Sequence, residues 1–470
     1  MKKLLVVLLA LGLLVAFGAT ASAADVKFAG EYYVVGIYEN NPTLNGSVGG
    51  KDLGYSRAYF WQRGRLQPVF SIADGLTFTA RMDFMEKGWG MSTWRRNAVG
   101  GADTTSSRSS AGNVASNAQE NFEWERAYVT FMTKAGQFQV GYQAADTWGT
   151  VFADSGTTRP RIFYTTAFGP VTGLAIYEKI YEADRGLAGA PSTKVDADGD
   201  TYALAGIYKM KAGEAGLLWK YYTYAWNRLA ATPYTTKYHL LAPYAKLTFG
   251  NVYVEAELDY TFGKAAEYEG VKPAATNSQD VDAKAWGGYI LARMNMGPAY
   301  FGAQIGYATD NDYDDPTVSK AFSGGSDWNP ALIMGSDDLY NWNGGSTPVA
   351  SPIGGGAQAL QTLDNNKTGL TMYNVFGGFN PTPKLNIEAG LTFANTSKKR
   401  KSAVGPAGVE FVSSNVGTEL DLKATYKIYD TLSYMVGAGY LWAGDFFKGT
   451  NAGAVVENDY LLMNKLTLSF

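Results

Sequence analysis

Apolar and polar residues alternate with a period of two along much of this chain. Residues 76–84 set Leu76, Phe78, Ala80, Met82 and Phe84 on one face and Thr77, Thr79, Arg81 and Asp83 on the other. Residues 252–260 set Val252, Val254, Ala256, Leu258 and Tyr260 against Tyr253, Glu255, Glu257 and Asp259, and residues 385–393 and 420–428 repeat the pattern. A helix would scatter these charges around its circumference, whereas a strand gathers them on a single face. Eighteen strands are predicted on this basis, near 26–38, 54–71, 76–87, 120–133, 137–145, 161–168, 171–182, 201–211, 215–228, 238–249, 251–263, 284–296, 299–309, 368–379, 384–396, 417–428, 431–444 and 457–470.

The connections alternate in length. Short ones such as Ala73-Asp74-Gly75, Lys134-Ala135-Gly136, Gly250-Asn251 and Gly297-Pro298 carry turn residues at hairpin spacing. Long ones, near 88–119, 183–200, 264–283, 310–367 and 397–416, are rich in Gly, Ser, Asn and Asp. A soluble sandwich or propeller has no reason to lengthen every second loop. A transmembrane barrel does, with short periplasmic turns and long outer loops. The expected fold is therefore all-β: a transmembrane antiparallel up-and-down β-barrel of about 18 strands, with both termini at the short-turn end. The stretch 310–367 is expected as one long outer loop or as a plug folded into the lumen.

The ends of the chain agree with export. Met1-Lys2-Lys3, the apolar run from Leu4 to Phe17 and the small residues ending Ala21-Ser22-Ala23 have the three regions of a secretory signal peptide. That apolar run is shorter than the roughly 20 residues of a spanning helix. Residues 1–23 are thus expected as a signal and 24–470 as the barrel. At the other end Tyr460, Leu462, Leu466, Leu468 and Phe470 share one face, and the chain ends on Phe470. Aromatic residues, among them Tyr38, Tyr208, Tyr307, Tyr440 and Trp442, gather near strand ends, as interfacial girdles require.

Composition narrows the chemistry. The 470 residues include 43 acidic, 40 basic, one histidine (His239) and no cysteine. Disulfides, Cys-ligated metals, multi-His centres and Cys nucleophiles are excluded. The near-balanced charge argues against a nucleic-acid partner, and a lone histidine without an evident partner gives no reason to expect an enzyme.

The segment Gly417-Thr418-Glu419-Leu420-Asp421, continuing to Gly439-Tyr440-Leu441-Trp442 and Gly444-Asp445-Phe446-Phe447, is similar to the C-terminal part of alginate-export-like porins. Glu125-Arg126-Ala127-Tyr128-Val129 looks like a strand of such porins. The final amphipathic strand ending in Phe470 resembles the recognition signal of bacterial outer-membrane barrels. The whole chain thus resembles a Gram-negative outer-membrane porin of the 18-stranded type. The resemblance implies location in the outer membrane and a passive diffusion channel for small hydrophilic solutes. The alternative is a dedicated exporter or sleeve for an anionic polymer, or a scaffold for another envelope assembly. Expected partners are outer-membrane lipid, small solutes and, through the Phe470 strand, the barrel assembly machinery; barrels of this size occur as monomers and as homotrimers.

If the apolar faces meet lipid, the opposite faces line the lumen. Parity then places Arg57, Arg63, Arg65, Arg81, Arg126 and Arg161 on one basic wall, where planar guanidinium groups would favour anionic or carboxylate-bearing solutes. Pairing with carboxylates such as Asp83 is the competing role for these arginines. Asp83, Glu255, Glu257, Asp259, Glu419 and Asp421 are the expected acidic lining. The unusually apolar stretch Ala145–Pro160, with Asp146, Trp148, Phe152 and Asp154, is the first candidate for a constriction loop, and 310–367, with Trp328, is its rival. No cofactor is required; Asp196, Asp198 and Asp200, and the acidic run 310–315, are the weak calcium candidates, since neither has the full EF-hand pattern.

Overall fold

The computed structural model describes residues 25–42, 44, 56–89, 122–182, 196–229, 232–322, 325, 327–334, 368–402 and 408–470. The expected signal segment and most of 310–367 lie outside the described residues. Eighteen strands form the wall: β1 (Asp25–Glu39), β2 (Arg57–Ala73), β3 (Leu76–Gly88), β4 (Phe122–Thr133), β5 (Gly136–Ala145), β6 (Thr157–Phe168), β7 (Val171–Tyr181), β8 (Gly199–Met210), β9 (Gly213–Tyr224), β10 (Tyr234–Phe249), β11 (Val252–Tyr268), β12 (Val281–Met296), β13 (Ala299–Ala308), β15 (Leu370–Thr382), β16 (Leu385–Thr396), β17 (Asn415–Tyr429), β18 (Leu432–Ala443) and β19 (Asp459–Ser469). The two-residue β14 (Val318–Ser319) lies in the loop after β13 and pairs in parallel with the outer end of β12.

Each wall strand pairs antiparallel with its neighbour in sequence, and β1 also pairs with β19, from Glu31 opposite Ser469 to Glu39 opposite Leu461. The sheet closes on itself and leaves no edge strand, so every ladder has a partner. Eight of the connections are two-residue turns at one end, and the nine others are longer and lie at the opposite end with the lumen's outer mouth. The tight turns need left-handed backbone: Gly250 (φ 63°) and Gly297 (φ 62°) supply it without a Cβ penalty.

The alternation seen in the sequence separates the two faces of the wall. Phe122, Trp124, Leu217, Ile290, Leu422 and Leu462 all point outward and are exposed, Trp124 to 59%. So large an apolar exterior on a closed barrel is a lipid-facing surface, and the architecture is that of an outer-membrane barrel. Aromatic pairs mark its outer rim, with ring centroids 4.6 Å apart for Trp286 and Tyr307 and 4.7 Å for Tyr440 and Trp442. No helix among the described residues is long and apolar enough to cross a membrane; the strands cross instead.

The interior is not uniformly polar. On the β12–β19 side and on β1, inward residues such as Tyr33, Val35, Ile37, Met372, Leu441, Leu461 and Met463 are buried in one apolar cluster with loop residues Phe152, Trp328, Ile333, Met334, Phe446 and Phe447. A protein core therefore fills one half of the barrel, and the open lumen is displaced toward β2–β11.

Candidate functional site

The basic wall begins on β2–β4. Asp83 of β3 accepts two hydrogen bonds from Arg65, at 2.7 and 2.6 Å. Arg63 lies 3.9 Å from Glu31, 3.9 Å from Asp83 and 3.7 Å from Glu86, with its guanidinium 5.0 Å from the Tyr33 ring centre. Arg81 stands opposite Arg126 in the β3–β4 register and 3.7 Å from Glu125. The register shifts just beyond that pair, so that Met82 faces Trp124 and Glu125 becomes the extra residue of a bulge. Arg126 itself forms no ion pair among the described residues. Arg57, expected in the lining, is instead buried at the outer end of β2, where its Nε donates to Glu39 at 2.6 Å. Asp83 is likewise buried as the partner of Arg65 rather than lining the pore.

A second cationic group continues the wall on β6–β9. Arg159 donates to Asp146 at 2.7 Å, and Arg161 lies 3.5 Å from Glu178. Lys220 bridges both carboxylates, 2.6 Å from Glu178 and 3.3 Å from Asp146. Burial works to raise the Asp146 carboxyl, yet Lys220 and Arg159 together hold it below the usual carboxylate range. These groups line a cavity of about 500 Å³ together with Trp148, Tyr222, Tyr238 and Glu257. Tyr222 and Tyr238 stack across β9 and β10 at 4.5 Å, and Lys220 sits 4.8 Å above the Tyr222 ring. Sequence reasoning did not single out Arg159, Glu178 and Lys220. Arg159 falls in the stretch Ala145–Pro160, ahead of the strand predicted at 161–168, and β9 carries aromatic or aliphatic residues on both faces, which hides its lumenal parity.

Two segments turn into the barrel and bound this cavity. The first runs 146–156. The Trp148 N–H donates to Asp154 at 2.6 Å, and the Trp148 indole donates to the Ala242 carbonyl at 2.8 Å. Gly149 has φ 65°, and a Cβ there would come within 2.7 Å of Glu257 and 2.9 Å of Tyr244. This close approach lets the Thr150 N–H donate to the Glu257 carboxylate. Phe152 is buried among Tyr289, Trp328 and Phe322, with centroids 5.7, 5.4 and 6.0 Å away. Burial, and then the neighbouring Asp327, push the Asp154 carboxyl up to about 6.

The second segment, 327–334, belongs to the long loop. The Trp328 indole donates to Gln304 at 2.8 Å, and the ring fills a hole over Gly306, where a Cβ would come within 2.1 Å of it. The Ile333 and Met334 N–H groups donate to Glu419 at 2.6 and 2.7 Å, and the Leu332 N–H donates to Asp421 at 3.3 Å. The Asp327 N–H donates to the Asp154 carbonyl at 3.0 Å, joining the two segments. Of the two rival constriction candidates, both turn inward.

The expected acidic residues divide in their roles. Glu257, Asp259, Glu419 and Asp421 point inward and are largely buried; Glu257 and Asp259 still edge the cavity, while Glu419 and Asp421 lie under 332–334. Glu255 accepts from the hydroxyls of Tyr253 and Tyr289 at 2.6 and 2.9 Å. The acidic loops are not assembled around a cation either. Asp198 and Asp200 are paired with Lys179, while the Asp196 carboxylate accepts from the Asp198 N–H at 3.0 Å. In the other run Asp312 pairs with Lys320, Asp314 with Lys401 and Asp310 with Arg400. No metal-holding group of three or more such side chains exists among the described residues. His239 faces the outer side of the barrel, against Trp219, Tyr221 and Phe262.

A closed outer-membrane barrel, narrowed by two inward segments to a charged and aromatic cavity, is the class that fold and site define. No family model and no curated protein matches the chain. Among solved structures it is similar to OccK9 (OpdG) of Pseudomonas aeruginosa, with a TM-score of 0.49 and 13% identity over 94% of this chain and 99% of that one. It is also similar to OccK8 (OprE) of the same organism (TM-score 0.48, 13% identity, 94% and 98% covered) and to OccAB4 of Acinetobacter baumannii (TM-score 0.46, 12% identity, 96% and 100% covered).

Proposed function

We propose that the protein is a porin: a passive channel for small hydrophilic solutes whose arginine-bearing wall favours anionic or carboxylate-bearing ones. The observation that carries this reading is the run of cations along β2–β9, from Arg63 and Arg65 through Arg81 and Arg126 to Arg159, Arg161 and Lys220. Carboxylates opposite the arginines are buried and hydrogen-bonded by backbone N–H groups of the inserted segments, at Glu257, Glu419 and Asp421. On the basic wall, Arg126 faces Arg81 with no ion pair of its own among the described residues. Guanidinium groups on a pore wall attract carboxylates through their planar fork. A cavity of about 500 Å³ suits a small solute. The polymer-sleeve alternative needs a wide bore, and the apolar core that fills the β12–β19 half works against it.

Swelling of liposomes carrying the purified protein tests the reading. Equal-sized monosaccharide derivatives that are anionic, neutral and cationic should enter in that order of rate. Entry of the cationic derivative ahead of the anionic one would overturn the selectivity, and absence of swelling with every solute would overturn the channel.

A further inference from the structure

We propose that Glu419 and Asp421 are positioning residues that hold segment 327–334 against the β17 wall, and that the segment in turn masks their charge, so that one contact sets both bore and ion preference. The proposal rests on the porin reading above.

The two carboxylates lie two residues apart on the lumenal face of β17 and are buried, Glu419 completely. They meet three successive backbone N–H groups, those of Leu332, Ile333 and Met334. Charge-assisted hydrogen bonds of this kind are about twice as strong as neutral ones. Three consecutive N–H groups turned toward one pair of carboxylates also form a concavity suited to negative charge. No basic side chain forms an ion pair with either carboxylate among the described residues, so the peptide segment is their principal counter-pole. A buried carboxylate without such donors is costly, and this fixes the segment as firmly as the segment shields the charge. The rest of the segment is seated by shape: Trp328 fills the hole over Gly306, and Asn374 donates to the Pro330 carbonyl at 3.2 Å. On the side toward the short turns, Asn329, Pro330 and Leu332 roof a cavity of about 190 Å³ that also touches Asp421, Glu388 and Lys423. Displacing the segment joins this space to the lumen and bares Glu419 together with the rest of Asp421.

Two routes to displacement give opposite electrical signs. Removing the clamp by the double substitution Glu419→Ala and Asp421→Ala frees the segment and deletes the charges. Gly306→Val ejects the Trp328 ring and frees the segment with both charges left in place. The measurement is single-channel conductance and reversal potential of the full-length protein in planar bilayers, on variants that keep wild-type heat-modifiable migration on gels. Both variants should conduct at least about 1.5-fold more than wild type. Only Gly306→Val should move the reversal potential toward cation preference. Glu419→Gln keeps an amide oxygen for one N–H and should fall between wild type and the double variant. Folded double-alanine channels with wild-type conductance would overturn the clamp. An opened Gly306→Val channel with unchanged reversal potential would overturn the masking. A wild-type protein that conducts nothing would instead defeat the porin reading itself.

Discussion

At the residue scale, the decisive feature of the lumen is which charges have partners. Arg57, Arg63, Arg65, Arg81 and Arg126 all come from a short stretch of sequence, but they differ in use. Arg57 is locked to Glu39 and Arg65 to Asp83, so they brace the wall. Arg126, opposite Arg81, forms no ion pair among the described residues. Arg126→Ala should therefore reduce anion preference, read as a reversal potential nearer zero, while Arg57→Ala should lower thermal stability and leave selectivity in place. The inward loop carries a pH signature of its own. With the Asp154 carboxyl raised to about 6, its neutral form fits the docked loop better than its charged form. That contribution to docking is complete below the ordinary carboxylate range and is lost as pH rises through about 6. Open-channel noise from loop motion should thus grow between pH 5 and pH 7 in the wild type, and Asp154→Asn should flatten that dependence. Parity in the sequence was enough to place most of these side chains inward. It could not foresee the bulge at Glu125, which lets Glu123 and Arg126 of opposite parity share the lumenal side, nor could it show which arginines are consumed in pairs.

At the scale of elements, strands and loops were unequally legible. Period-two alternation and hairpin turns gave all eighteen wall strands to within a few residues, because a wall strand between lipid and lumen must alternate. The β11–β12 hairpin was the poorest case, since its strands extend to Tyr268 and back from Val281 where a loop was expected from 264. Charged residues such as Lys264 and Asp282 sit there, beyond the apolar belt, where pairing continues but the hydrophobic signal has ended. The inward course of the two segments was suggested only by their apolar content. Their anchors are long-range: Thr150 reaches Glu257, and Ile333 reaches Glu419. Such pairings leave no periodic trace in sequence. The aromatic box around Phe152 couples the two segments, so Phe152→Ala should cost about 3–5 kcal/mol of packing and loosen both. The expected outcome is larger and less steady current steps from a barrel whose gel migration still shows it folded.

At the scale of the whole molecule, closure of the sheet is what makes a membrane-spanning body of these strands. The seam between β1 and β19 ends at Gly30 and Phe470, whose backbones exchange hydrogen bonds at 2.8 and 3.0 Å. The Phe470 ring covers Gly30, where a Cβ would approach it to 2.5 Å. Gly30→Val should therefore lower the temperature at which the heat-modifiable gel band unfolds, with the wall away from the seam unaffected. A terminal amphipathic strand was visible in the sequence, but its role as the closing strand required the structure. The lopsided filling of the barrel was equally hidden. Residues such as Val35, Leu441 and Leu461 are as apolar as the lipid-facing ones beside them, so composition alone did not show that they point inward.

In the proposed small-solute channel the basic wall outweighs the carboxylates held by the inward segments. Reversal potential in a planar bilayer with a KCl gradient across it tests this most directly. Steady open steps with a reversal potential on the anion side are the predicted result. A reversal potential on the cation side would contradict it, because it would mean that Glu257, Glu419 and Asp421 face the permeating ions despite the segments that hold them.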